Sequence, residues 1–134
     1  MKKIVALILT LVCLLTVTAC SNASTKGSVL LKEGTVNTIS VASRPAGYNY
    51  SFSGDAAQTV IHYISELNLL SDFSENPDEY DGMTWVIELK YDDGSNLTIY
   101  HFGNMFIRAD NSSWYKMTYE EASRLDSLLN ELSE

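Results

Sequence analysis

The chain has 134 residues and a formal net charge of −8, with 17 acidic residues against 9 lysines and arginines. This length fits one domain with a modest hydrophobic core. An acidic surface repels nucleic-acid phosphates and anionic lipid headgroups, so the composition argues against a nucleic-acid partner and against membrane binding through basic contacts.

The first 20 residues have the layout of a secretory signal segment. Lys2 and Lys3 give a positive start, residues 4–17 are apolar apart from two threonines, and small residues lead into a cysteine. The apolar stretch is shorter than the about 20 residues that a membrane-spanning helix requires. We therefore predict that residues 1–19 are a signal peptide and are removed.

The motif Val17-Thr18-Ala19-Cys20 resembles the lipobox of bacterial lipoproteins, which reads aliphatic, small, small, cysteine. The resemblance implies a diacylglyceryl group on the Cys20 sulfur, cleavage after Ala19 and a palmitate-type acylated terminus. It also implies a protein held by lipid on the extracytoplasmic face of a bacterial cell membrane. Two or more acyl chains anchor a protein firmly, whereas one chain holds it only marginally.

Processing at this site would leave 115 residues with a formal charge of −10, because two lysines and no acids are lost. Cys13 would leave with the signal and Cys20 would carry the lipid, so the domain would have no thiol for a disulfide or a metal site. Residues 20–28 are small and polar, which predicts a lipidated terminus and a flexible tether. Residues 29–134 are expected to form a single domain.

Periodic patterns predict the next elements in chain order. Residues 35–43 and 48–52 alternate as two strands. Asp55 is expected to cap a helix, with Gln58 as its capping-box partner and an end near residues 68–71. Residues 72–82 then read as an acidic, solvated loop.

The second half predicts a four-stranded meander followed by a helix. The strands are expected at residues 83–91, 96–102, 105–109 and 113–117, and Asp92-Asp93-Gly94-Ser95 has the composition of a tight hairpin turn. Thr118 and Glu121 form a capping-box pattern ahead of a C-terminal helix with one apolar stripe.

These elements predict an α+β two-layer sandwich, an antiparallel sheet with both helices on one face. The element order resembles the TATA-binding-protein-like folding unit at the level of pattern. The chain also resembles small lipoproteins of Gram-positive bacteria whose domains have no assigned function. A likeness of fold does not carry a function.

The acidic segments 78–82 and 92–96 raise the question of a calcium site. Neither has the spacing of an EF-hand loop, so we interpret them as a solvated loop and a hairpin turn and predict no metal or cofactor. His62 and His101 are the only histidines, and no recognised catalytic motif accompanies them. An alternative remains: a small envelope enzyme or metal-dependent accessory protein that uses His101 and loop acids.

The aromatic residues suggest a binding surface. If the odd positions of residues 83–91 face the helices, Trp85 is core and the open sheet face carries either Tyr100 and Phe102 or the opposite set on their strand. We choose Tyr100 and Phe102 as the candidate binding face, with Tyr115 expected to join them. Exposed tyrosines and tryptophans anchor interfaces, although strands also select aromatics for cross-strand pairing. The sequence thus favours a lipid-anchored, non-catalytic binding or accessory module of the cell envelope, with a protein, peptide or glycan as partner.

Overall fold

The computed structural model describes residues 23–134, which form one open sheet of eight antiparallel strands with two helices packed against it. The signal segment and Cys20 lie outside the described residues. The strands are β1 (Ser24–Lys26), β2 (Val36–Arg44), β3 (Asn49–Ser53), β4 (Asn68–Leu70), β5 (Thr84–Tyr91), β6 (Asn96–Phe102), β7 (Phe106–Ala109) and β8 (Tyr115–Lys116). The helices are α1 (Asp55–Glu66) and α2 (Tyr119–Glu131), and the sheet order is β1-β4-β8-β7-β6-β5-β2-β3.

The side chains of β5 point alternately to the two faces of the sheet. Its odd side chains are buried towards the helices, whereas Glu88 and Lys90 point to the other side and are exposed. The neighbouring strands continue both faces in register. The core under the helices is built from apolar residues of both layers, which include Ile39, Val41, Val60, Ile64, Trp85, Ile87, Leu89, Ile99, Leu125 and Leu129. The predicted α+β class is confirmed.

Helix α2 starts at the predicted capping box. The hydroxyl of Thr118 accepts the Glu121 N–H at 3.2 Å, and the Glu121 carboxylate accepts the Thr118 N–H at 3.1 Å. The same carboxylate accepts the N–H of Asn68 at 2.9 Å. One side chain thus fastens the start of α2 to the start of β4.

The predictions for the first helix are wrong at both ends. The helix begins at Asp55 itself behind Gly54, so Asp55 does not cap it, and the Gln58 side chain instead donates to the Val36 carbonyl at 3.1 Å. The helix stops at Glu66, and the expected last turn is strand β4. The reason is tertiary: β4 lies between β1 and β8, where its backbone groups are paired.

The predicted tether over residues 20–28 is wrong from residue 24 onwards. Ser24–Lys26 is an edge strand paired with β4, and the N–H of Gly27 donates to the Leu67 carbonyl at 2.8 Å. Residues 27–30 form a 3-10 turn whose Leu30 side chain enters the core. A polar segment can join a sheet in this way because strand pairing uses backbone N–H and C=O groups and does not depend on the exposed side chains.

We expect Gly27→Ala to destabilise the domain. A β-carbon at this position would lie 1.8 Å from the Ile64 carbonyl oxygen, so the turn or α1 must move. Overpacking of this kind typically costs about 1–3 kcal/mol. Urea unfolding checks the prediction, with the exposed neighbour Ser28→Ala as the matched control. Equal midpoints for the two variants would contradict the docking of residues 24–30.

Glu121→Gln should weaken the acid sensitivity of folding. Burial raises the pKa of Glu121, but the hydrogen bonds from Asn68 and Thr118 outweigh burial and lower the pKa below its ordinary 4.5. The stability this carboxylate contributes is present above pH 4.5 and is lost as pH falls through its folded pKa. Glutamine keeps neutral hydrogen-bonding capacity and does not titrate there. Carboxyl groups titrate roughly between pH 6 and 3. Over this range, the free energy of unfolding of the variant should fall less steeply than that of wild type. The exposed Glu120→Gln serves as control.

Candidate functional site

The open sheet face is not bare, because residues 71–83, here called the acidic loop, lie against it. Phe73 packs on Phe106 with ring centroids 5.6 Å apart, and the Glu75 carboxylate pairs with the Lys116 ammonium group. That ammonium lowers the pKa of Glu75 through a side-chain hydrogen bond. Pro77 is buried in a short 3-10 turn. The prediction of a solvated loop is therefore wrong for these residues.

The three predicted binding-face residues are not all on one surface. Tyr100 and Phe102 share the open face, but Phe102 is only 9% exposed because Trp114 packs on it with centroids 6.1 Å apart. Tyr115 pairs with Ile107 and packs against the core on the helix side. The expected exposure of Phe102 and the expected face of Tyr115 are wrong, since the side chains of β8 alternate in the opposite sense to the one predicted.

Beneath the acidic loop lies a cavity of about 290 Å³, here called the arginine cavity. Tyr100 and Phe102 line it, so two of the predicted residues do meet at one site. Sequence reasoning missed the charged residues of the same cavity. Its lining comprises Arg44, Pro77, Asp78, Tyr80, Thr84, Tyr100, Phe102, Arg108 and Trp114.

Arg108 is held by aromatic faces rather than by hydrogen bonds. Its guanidinium carbon lies 4.4 Å from the centroid of Trp114 and 5.4 Å from that of Tyr100, both within cation–π range. Its Nε has no hydrogen-bond partner within residues 23–134. Its Nη1 is 3.7 Å from Asp78 Oδ1, which is an ion pair beyond hydrogen-bond distance.

The remaining walls are positioned by local hydrogen bonds. Trp114 Nε1 donates to Asp78 Oδ1 at 3.0 Å, which fixes the acidic loop over β7. Arg44 ends β2 opposite Thr84. The turn that follows is held by Ser43, whose hydroxyl accepts the Tyr48 N–H at 2.9 Å and donates to the Pro45 carbonyl at 3.2 Å.

One sequence signal could have found Arg108. The tight turn after β6 pairs Tyr100 with Arg108 across the hairpin, so alternation alone places both on the same face. Arg44 offered no such signal, because its cross-sheet neighbours come from strands 40 or more positions away.

The buried histidine has a different partner from the one expected. His101 is fully buried, and its Nδ1 donates to the Phe106 carbonyl at 3.1 Å, since a carbonyl oxygen can only accept. Its Nε2 is 3.0 Å from Asp126 Oδ1, close but not in a hydrogen-bonding direction. The same oxygen accepts Trp85 Nε1–H at 2.8 Å. His101 therefore lies beside a carboxylate of α2 and not beside the acids of the loop.

Two further cavities lie on the surface of the described residues. One of about 520 Å³ adjoins the arginine cavity, shares Tyr80 and Phe102 with it, and carries Asp81 and Asp126. The larger, of about 720 Å³, is a groove between α1 and α2 that includes His62 and charges of both signs. Over residues 23–134, no three His, Cys, Asp or Glu side chains are grouped as a metal site.

Comparisons of the chain with protein-family models, curated proteins and solved structures find no match. Within the described part of the chain, no helix has the length and apolarity needed to cross a bilayer. The site is therefore interpreted from its own geometry.

Asp126→Ala should lower stability although Asp126 lies at the domain surface. The change removes the acceptor of the buried Trp85 N–H and the neighbour of the buried His101 ring. Leaving the buried Trp85 N–H without an acceptor costs about 1–3 kcal/mol. Urea unfolding measures the loss, and Ser127→Ala on the next position of α2 is the control. Two variants of equal stability would show that the cluster contributes nothing.

Proposed function

We propose that the protein is a lipid-anchored extracytoplasmic lipoprotein whose single domain binds a ligand in the arginine cavity. The observation that carries the proposal is the Val17-Thr18-Ala19-Cys20 motif, which ends four positions before Ser24, the first residue of the folded sheet. A motif that close to a folded domain is suited to a direct membrane anchor.

The short connection supports anchoring at the membrane surface. Four residues reach at most about 14 Å when fully extended. A diacylglyceryl group with a further acyl chain on Cys20 would hold the domain firmly. The acidic composition then keeps the domain from lying flat on anionic lipid, because like charges repel.

The construction of the cavity supports binding. Its floor is a continuous sheet and its cover is a loop fastened by Trp114–Asp78 and Lys116–Glu75 contacts. Rigid walls lower the ordering cost of binding a ligand. We assign binding rather than catalysis because the one histidine near this end of the sheet, His101, is fully buried and contacts only groups of the domain.

The anchor is tested with Cys20→Ala in cells fed a fatty-acid analogue. The variant should lose the label and leave the membrane fraction. Cys13→Ala is the matched control, because Cys13 lies inside the apolar run and should keep both properties. Label retained on Cys20→Ala at the wild-type level would refute the anchor.

A further inference from the structure

We infer that the arginine cavity binds the carboxylate of a small, ring-bearing organic anion between Arg44 and Arg108. The inference rests on the proposed binding function and assigns the chemical class of its ligand. Four observations lead to it: the distribution of arginines, their free donors, the local charge and the aromatic walls.

The distribution of arginine is uneven. The chain has three arginines, and two of them, Arg44 and Arg108, line one cavity of about 290 Å³. Each comes from a different part of the sheet, at the end of β2 and within β7. In a chain with a net charge of −8, two arginines in the lining of one cavity make the local charge positive against the average.

The donors of these arginines are largely unused. The Arg108 guanidinium carbon lies over the rings of Trp114 and Tyr100, its Nη1 is 3.7 Å from the Asp78 carboxylate, and its buried Nε has no hydrogen-bond partner within the described residues. Arg44 is exposed, and no carboxylate of residues 23–134 lies within ion-pair distance of it. An arginine edge matches a carboxylate through two parallel hydrogen bonds.

The local charge selects a carboxylate over a phosphate. Arg44, Arg108 and Asp78 together leave one net positive charge in the lining. A carboxylate carries one negative charge, whereas a phosphate monoester carries about −1.5 to −2 at neutral pH and is therefore repelled more strongly by Asp78. An oxygen of the Asp78 carboxylate already lies 3.7 Å from Arg108. We expect the ligand to bring a second carboxylate to the same arginine.

The walls select the rest of the ligand. Trp114, Tyr100 and Tyr80 contribute aromatic rings to the lining, and the first two also contact the Arg108 guanidinium. Aromatic rings pack in offset or tilted geometry with other rings, and the small volume limits the ligand to a single ring with short substituents. Benzoate has these features and is the probe we choose.

The binding experiment uses the full chain in a nonionic detergent and follows tryptophan fluorescence. The chain has two tryptophans, and only Trp114 lines the cavity, since Trp85 is 1% exposed in the core. Benzoate is titrated alongside phenyl phosphate and the neutral benzyl alcohol. We expect a saturable change with benzoate that is tighter than with either comparison compound. The Trp114→Phe variant should lose the signal.

Substitutions should move benzoate affinity in opposite directions. Arg44→Gln and Arg108→Lys each replace a planar guanidinium group that donates to the carboxylate. Each variant should weaken benzoate binding about tenfold or more. Asp78→Asn removes a competing charge, keeps an oxygen for the Trp114 hydrogen bond, and should tighten binding about two- to fivefold. Arg124 is the third arginine of the chain and lies on α2, outside the lining of the cavity. Arg124→Gln should therefore leave the affinity for benzoate unchanged. Arg44 is exposed, so its variant tests the site even where Arg108→Lys disturbs folding.

The outcomes separate this inference from the function on which it rests. Benzyl alcohol binding as tightly as benzoate, or affinity indifferent to Arg44→Gln, keeps a binding cavity and overturns the carboxylate. Phenyl phosphate binding tightest also overturns it, because the charge argument is then wrong. No saturable response to any of the three compounds overturns both the inference and the cavity as a binding site, while the fatty-acid labelling of Cys20 still decides the anchor.

Discussion

The alternation of side chains along β5 is the constraint on which the rest of the domain depends. Trp85, Ile87 and Leu89 point under the two helices, so Thr84 and Val86 must point the other way. β6 and β2 are paired in register with β5 and repeat this division. Two helices suffice to cover one face only. The other face is covered by the acidic loop, and the arginine cavity is the space this partial cover leaves.

The parts of the fold that follow a period could be predicted from the sequence. The alternation of β5, the Asp-Gly turn after it and the Thr118–Glu121 capping box each express a local rule, and each is present in the structure. β1 and β4 could not be predicted, because three residues are too few to display a period. They form because their backbones complete the edge of the sheet.

The error at Tyr115 has the same physical origin. β8 contains two residues, and a shift of one position exchanges the faces of all its side chains. With the register of β8 undetermined, Trp114 and Tyr115 were equally good candidates for the open face. The structure assigns that face to Trp114, whose indole lies against the Arg108 guanidinium and donates to Asp78. The acidic loop was predicted as a loop, but its packing on the sheet could not be predicted, since its ion pairs join positions far apart in the chain.

The net charge of −8 is an average over the chain and does not give the charge at one site. An acidic composition argues against anionic partners through long-range repulsion, yet that argument weakens beyond about 8–10 Å in physiological salt. Inside the cavity the nearest charges dominate, and these are two guanidinium groups and one carboxylate. The sequence could not reveal this grouping. Arg44 and Arg108 line the same cavity only because four strands, β2, β5, β6 and β7, pair side by side.

The β6–β7 hairpin is braced from both faces, which makes it a firm support for the site. On the helix side, the Phe106 carbonyl accepts from His101; on the open side, the Phe106 ring packs against Phe73. A hairpin fixed in this way holds Tyr100 and Arg108 opposite each other before any ligand arrives. Preorganisation reduces the entropy lost on binding, so even a small anion with few contacts can be retained.

One row of paired residues runs across the sheet and connects the proposed anchor to the proposed site. It runs from Ser24 through Leu70, Lys116, Phe106, Phe102 and Thr84 to Arg44. Neighbouring strands are about 4.8 Å apart, so the six steps of this row span at most about 29 Å. With lipid on Cys20, four positions before Ser24, the arginine cavity stays within a few nanometres of the bilayer. With that anchor in place, a ligand recognised in the cavity would be encountered at the membrane surface, where a tethered protein samples a thin layer rather than the bulk solution.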